Sequence, residues 1–344
     1  MIRRRRLCTG AWAAALGVAT TPAWASLAGA GPRAGSLTVA ITRPESLCQL
    51  PLHLAHRLGY VAEEGLRLDW LLCPDLDAAV QALASGRAQV VSAPYALTLK
   101  VALQGMRWTA FVLQSRTPQY ALGMSRHGYE ALARGTPLRL AVSKGSDAAY
   151  RVAQQFLARQ QPPQPPVQWV EVAGAEPVLE LLRNKGLDGA CLPDPHMSRV
   201  ERDGGVRVVA DTRTLSGARQ LFGTLWPAAS LCTSVELSRQ RAEQCRALTH
   251  AVVHAQKWLQ TAGMLDVSRA VAEEHFRGDR GLYLSAFAHN REAWSPDGVF
   301  DEGAPEQMRR VLARWAAVWA DADASLGHTV TNQWAKEAKS RFRA

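Results

Sequence analysis

At 344 residues the chain is more than twice the roughly 150 that guide a one-domain estimate, so two cores are expected. Hydrophobic residues make up 47% and charged residues 20%, with 11 Trp, which excludes a disordered or collagen-like chain. The 40 Lys and Arg exceed the 30 Asp and Glu, a formal charge of +10.

Part of that charge belongs to the N-terminus. Arg3 to Arg6 are followed by the uncharged apolar stretch Leu7 to Ala19 and by Ala23-Trp24-Ala25, the small-x-small pattern of a cleavage site. Residues 1–25 are read as an export signal peptide. A membrane anchor needs about 20 apolar residues, and this run breaks at Thr20-Thr21-Pro22. Cys8 precedes the apolar run, so it is not placed for acylation as in a lipoprotein. The Arg run before Leu7 resembles an incomplete twin-arginine signal, and secretory and twin-arginine routes both stay open. Removing the segment takes away four Arg and no acid. The remaining 36 bases against 30 acids are scattered, apart from Arg309-Arg310 and the tail Lys336 to Arg343. With no nucleic-acid motif, no nucleic-acid partner is expected. Five Cys remain (Cys48, Cys73, Cys191, Cys232, Cys245), widely spaced and without CxxC, which suits neither a zinc site nor a disulfide scaffold. One bridge stays open, while Cys191 and Cys232 read as small core residues.

From Leu37 onward, short apolar runs alternate with helical patterns, the signature of βαβ units and a parallel sheet. Leu37 to Ile41 is a predicted strand and Arg43 to Gln49 a loop. Pro51 opens a helix ending at Gly59. Leu66 to Leu72 is the next strand, Leu76 to Ser85 a helix, Gln89 to Ser92 a buried strand and Tyr95 to Gln104 a helix. Trp108 to Gln114 completes a four-strand block. After a crossing segment, Tyr120 to Met124, a second block brings strands at Leu138 to Val142, Val167 to Val172, Gly189 to Leu192 and Val206 to Val209. Lys144-Gly145-Ser146-Asp147 is a turn capping the helix that follows. Pro-rich Gln160 to Gln168 is a surface connection, and Pro177 to Lys185 a helix. After Leu221 to Leu225 the pattern reads as helical to the end, with amphipathic helices over Ser238 to Thr261, Pro305 to Trp319 and Thr331 to Arg341.

There is no GxSxG elbow, HExxH or Walker loop, and Gly29-x-Gly31 precedes the first strand, so no cofactor and no catalytic motif is expected. His53 with His56, and His250 with His254, have metal-compatible helical spacing but lack a matching carboxylate or Cys, and are read as packed or solvated histidines. Four loops follow a strand and open a helix, where open sheets bind ligands: Arg43 to Gln49, Ser92 to Tyr95, Lys144 to Asp147 and Leu192 to His196.

LPLHLAHRLGYVAEEGLRLDWL (Leu50 to Leu71), AVQALASGRAQVVSAPY, KGSDAAY, VLELLRNKGLDGACLPDP, SPDGVFDEGAPEQMRRVLARW and the closing TVTNQWAKEA stand in order along the chain. Together they resemble the nitrate/sulfonate/taurine-type substrate-binding proteins of ABC importers, which share the NMT1, or thiamine-pyrimidine-synthase-like, domain family. The likeness spans roughly Leu37 to Ala338. It implies a type II periplasmic-binding-protein fold of class α/β: two α/β lobes joined by a hinge of two crossing segments, near Tyr120 to Met124 and Leu221 to Leu225. Lobe 1 would be 37–122 plus 224–344, and the inserted lobe 2 would be 123–223. The implied protein is a monomeric periplasmic receptor that passes a small anionic or zwitterionic ligand to an ABC permease and ATPase. Its ligand side would carry Arg43, Cys48, Gln49, Ser92, Tyr95, Lys144, Gly145, Ser146 and Asp194, with Asp194 meeting an amine. One departure is visible: family members often have aromatics around the acid-Pro pair, where this chain has Pro193 and His196. The alternative is an enzyme on the same scaffold, a Cys-dependent desulfinase or a pyrimidine-precursor synthase, for which Cys48 is the sole support.

Overall fold

The computed structural model describes residues 35–44, 46–160, 165–319 and 326–344. The export-signal reading of residues 1–25 and residues 161–164 of the Pro-rich connection lie outside these. Ten strands form two five-stranded sheets. The first has the order β2-β1-β3-β10-β4 and the second β7-β6-β8-β5-β9.

In the first sheet β1 (Gly35–Ile41), β2 (Leu66–Leu72), β3 (Val90–Pro94) and β4 (Trp108–Leu113) come from the apolar runs read in the sequence. β1 pairs in parallel with both β2 and β3. β4 is buried along its whole length, so its six residues are apolar or small-polar without alternation. The second sheet repeats the plan. β5 (Tyr120–Ser125) enters it, then β6 (Leu138–Ser143), β7 (Val167–Val172), β8 (Gly189–Pro193) and β9 (Val206–Asp211) follow, with β6 parallel to β7 and β8.

Two strands correct the sequence reading. Tyr120 to Met124, read as a crossing segment, is strand β5, and the helical pattern expected after Leu225 is preceded by β10 (Ala229–Ser234). The sheets are therefore mixed: β5 runs antiparallel to β8 and β9, and β10 antiparallel to β3 and β4. The reason is connectivity. The chain passes from one sheet into the other at 114–119 and, after the helix Leu215–Phe222, at 223–228, so neither β5 nor β10 is reached by a crossover from a strand of its own sheet and neither is bound to run parallel to its neighbours. The predicted helix Ser238 to Thr261 is also two, Val235–Gln240 and Ala242–Thr261, and the helix opened by Pro305 stops at Leu312.

Ala242–Thr261 lays Cys245, Leu248, Val252, Ala255 and Leu259 on one side of the first sheet, as the 3-4 spacing predicts. The helices Leu76–Ala84 and Tyr95–Leu103 cover its other side, in an apolar cluster that continues to Leu138 and Val142 of the second sheet. Cys191 and Cys232 are core residues, and all five described Cys are free thiols. Of the two histidine pairs, His53, His250 and His254 are packed and His56 is exposed. His53 stacks on Trp70 at 5.2 Å, and burial, helped by His275 and His56, pushes its pKa down to about 4. His254 stacks between Tyr60 and Phe342. Among the described residues no group of three or more His, Cys, Asp or Glu is placed to hold a metal ion, and no helix is long and apolar enough to cross a membrane.

Candidate functional site

The C-terminal ends of β1, β3 and β6 face a cavity of about 580 Å³. After β1, the Arg43–Gln49 loop is folded by backbone bonds from Ser46 N to Arg43 O and from Gln49 N to Ser46 O. Trp294 Nε1 clamps it by donating to Leu47 O at 2.8 Å. After β3, the helix Tyr95–Leu103 presents Ala96, Leu97, Lys100 and Leu103 to the cavity, a single face by their spacing. After β6, Gly145 turns the chain at φ 65°, and a Cβ there would meet no atom within 4 Å, so it is the backbone angle that asks for glycine. Ser146 then caps the helix Asp147–Leu157 by accepting from Ala149 N.

One side-chain chain ties the two sheets together across this cavity. Ser146 Oγ donates to the Tyr120 hydroxyl at 2.7 Å. Arg43 Nη1 donates to the same hydroxyl at 3.3 Å and reaches Ser143 Oγ at 3.5 Å. Arg43 leaves the first sheet, whereas Tyr120, Ser143 and Ser146 belong to the second. Cys48 stands beside them with Sγ 3.0 Å from Ser46 Oγ. Burial pushes its thiol pKa up, against the pull of the Ser46 bond and the Arg43 charge, so the protonated form prevails at neutral pH. Gln49 is buried, and its Oε1 has no hydrogen-bond partner among the described residues. The rest of the wall is largely apolar, with Ala93, Pro94, Leu97, Trp226, Leu312 and Trp319. Arg151, also on the wall, pairs with Asp147 at 3.1 Å and lies 5.3 Å from the Trp315 ring centroid.

Of the nine residues proposed from sequence, the structure brings Arg43, Cys48, Gln49, Gly145 and Ser146 to the cavity wall. Ser92, Tyr95, Lys144 and Asp194 stand elsewhere. Ser92 is buried and accepts from Gln114 Nε2 at 2.9 Å. Tyr95 points into the core, with its hydroxyl 2.8 Å from Thr329 Oγ1 and its ring against Phe300. Lys144 is exposed on the turn. Asp194 is fully buried: it meets Arg213 Nη1 at 3.2 Å, Asn290 Nδ2 at 2.7 Å, and Ser198 through both N and Oγ. The physical cause is Arg213, itself fully buried. A buried guanidinium requires anions around it, and Asp194, Asp211 and Glu201 supply them. The amine contact expected of Asp194 is thereby replaced by an internal ion pair. Sequence reasoning missed Tyr120, Trp226, Leu312 and Trp319. Tyr120 and Trp226 sit where the chain changes sheets, and aromatics at such crossings were the available signal.

The sequence profile of the NMT1-like family matches residues 45–273. The chain belongs to the NMT1-like family. A solved structure from Bordetella bronchiseptica RB50 is similar to this NMT1-like protein at 29% identity, covering 90% of this chain and 98% of that one, with a TM-score of 0.77. The alkanesulfonate-binding protein from Xanthomonas axonopodis pv. citri bound to MOPS shares 15% identity over 88% of this chain and 99% of its own, with a TM-score of 0.61. The periplasmic nitrate-binding protein from Synechocystis PCC 6803 shares 13% over 89% and 88%, with a TM-score of 0.66. The last two likenesses show the periplasmic-binding-protein fold expected from sequence: two α/β lobes, each built on one sheet. No curated protein matches the chain.

Proposed function

We propose that this NMT1-like protein is the substrate-binding component of an ABC importer, holding a small anionic or zwitterionic compound between its lobes and passing it to a permease and ATPase. The observation that carries the reading is the cavity whose polar floor is drawn from both sheets, Arg43 and Gln49 from one and Tyr120 and Ser146 from the other. A ligand bound there contacts both lobes at once, which is how binding energy biases a two-lobed protein toward one arrangement. We assign lobe 1 to 37–119 plus 224–344 and lobe 2 to 120–223, moving the boundary read from sequence because β5 lies wholly in the second sheet. The arginine on the floor and the helix start at Ser146 suit an acidic group, sulfonate-, nitrate- or carboxylate-like. The fold of the sulfonate- and nitrate-binding relatives supports the same reading.

The enzyme alternative asks for a nucleophilic Cys48. Its raised pKa and the absence of a His or Lys beside it among the described contacts support the receptor reading instead. The reading of residues 1–25 as an export signal supports a periplasmic location, and the mature protein is taken to act there as a monomer. Thermal-shift measurements with sulfonates, nitrate, carboxylates and aminopyrimidines test the reading. A ligand at 100 times its Kd adds about 2.7 kcal/mol of stability. Turnover of a sulfinate, abolished by Cys48→Ser, would establish the enzyme alternative. The first residue of the mature protein should be Ser26 or a close neighbour, as read by N-terminal sequencing of a periplasmic extract.

A further inference from the structure

We infer that the ligand is an amphipathic anion larger than nitrate or taurine. Its flat apolar body lies against Leu103 and Trp319, and its acidic head, with an adjacent N–H or O–H donor, lies between Arg43 and Gln49. The inference rests on the binding-protein reading and adds the ligand's chemical class.

The first observation is size. A water's share of liquid volume is about 30 Å³, so a four-atom oxyanion leaves most of a 580 Å³ cavity unfilled. Cavities of roughly 300–1,000 Å³ suit ligands of many heavy atoms. The second is the wall. Trp226, Leu97 and Leu312 are packed to 3%, 6% and 5% exposure, whereas Leu103 and Trp319 on the same lining are only half-buried and leave apolar surface open to the space, where an apolar body gains most. The third is Gln49. Its buried Oε1 has no partner among the described residues, and an orphaned acceptor costs free energy until a donor arrives. Arg43 and Gln49 share one short loop, so the acid and the donor are neighbours in the ligand too. A carboxylate one or two atoms from an amide N–H, with an aryl group beyond it, satisfies all three.

Isothermal titration with four probes tests this: N-(2-naphthoyl)glycine; N-acetylglycine, which lacks the apolar body; 2-naphthoyloxyacetate, in which oxygen replaces the N–H; and nitrate. N-(2-naphthoyl)glycine should bind at least tenfold tighter than each of the other three. Ala96→Trp, which fills part of the cavity from a half-buried helix position, should weaken it at least tenfold more than it weakens N-acetylglycine. Gln49→Met, which removes the orphaned acceptor, should erase the preference for the N–H over the oxygen analogue and raise the Tm of the unliganded protein. Nitrate binding tighter than the aryl probe, or an aryl affinity untouched by Ala96→Trp, overturns the inference and leaves the binding-protein reading standing. A protein that binds none of the four, nor any member of the thermal-shift panel, overturns both.

Discussion

Arg43 and Tyr120 meet at 3.3 Å across the boundary between the two sheets, and the tyrosine hydroxyl that accepts from Arg43 also accepts from Ser146. This hydroxyl is the shared point of the cavity floor. Removing it in Tyr120→Phe leaves the Ser146 hydroxyl and one guanidinium N–H without their acceptor. The expected loss is about 0.5–1.5 kcal/mol of stability, read as a lower urea midpoint at unchanged m. An unchanged midpoint would mean that the contact between the sheets contributes nothing to the fold.

Asp194→Ala should act on stability and not on ligand charge preference. The variant leaves Arg213 buried with one anion fewer and Asn290 with one of its two acceptors gone, a loss of about 3–5 kcal/mol. Equilibrium urea unfolding checks this. A fully stable variant with selectively weakened binding of cationic ligands would return Asp194 to the site.

His289 and Asp211 set a pH dependence between the lobes, His289 being on the helix Arg280–Asn290 and Asp211 at the end of β9. The bond to Asp211 raises the pKa of His289 above the ordinary histidine value. Its contribution is therefore complete below about pH 6.5 and fades as pH rises through the raised value. Burial disfavours the Asp211 carboxylate, but the bonds from His289 and Arg213 outweigh it and hold its pKa well below the usual range. That contribution is present above about pH 4 and fades only in strong acid. With His289 nearly half exposed, solvent screening limits its share to less than about 1 kcal/mol. Wild type should exceed His289→Gln in stability at pH 5.5, and the two should converge by pH 9. A gap that widens with pH would reverse the sign and exclude this pairing.

Cys48 should react with iodoacetamide more slowly than a free cysteine at pH 7.5, because burial keeps it protonated. Cys48→Ser should keep ligand affinity within about tenfold, or 1.4 kcal/mol. Faster alkylation than the free amino acid would point to an activated thiol.

What the sequence determined by itself is what short runs encode. Leu37 to Ile41 and Leu138 to Val142 are apolar enough to be largely buried strands, Leu66 to Leu72 starts with the alternation of a half-buried edge strand, and the apolar stripe of Ala242–Thr261 can only face a core. The order of the family strings carried the fold, and the loops that end β1 and β6, singled out as strand-to-helix turns, are the ones that reach the cavity. β5 and β10 were not legible as strands, since a short run such as ASLCTS carries no period that separates strand from helix. The tertiary structure alone decided which side chains meet. Arg43 finds Ser143 a hundred positions away, and Trp226 joins Leu97 and Leu312 on one wall. Asp194 stands in a loop of the right kind, yet its direction is set by Arg213, whose buried charge attracts the carboxylate away from the cavity. Backbone periodicity is a local property of the chain, whereas burial and charge pairing depend on which distant segments fold against one another.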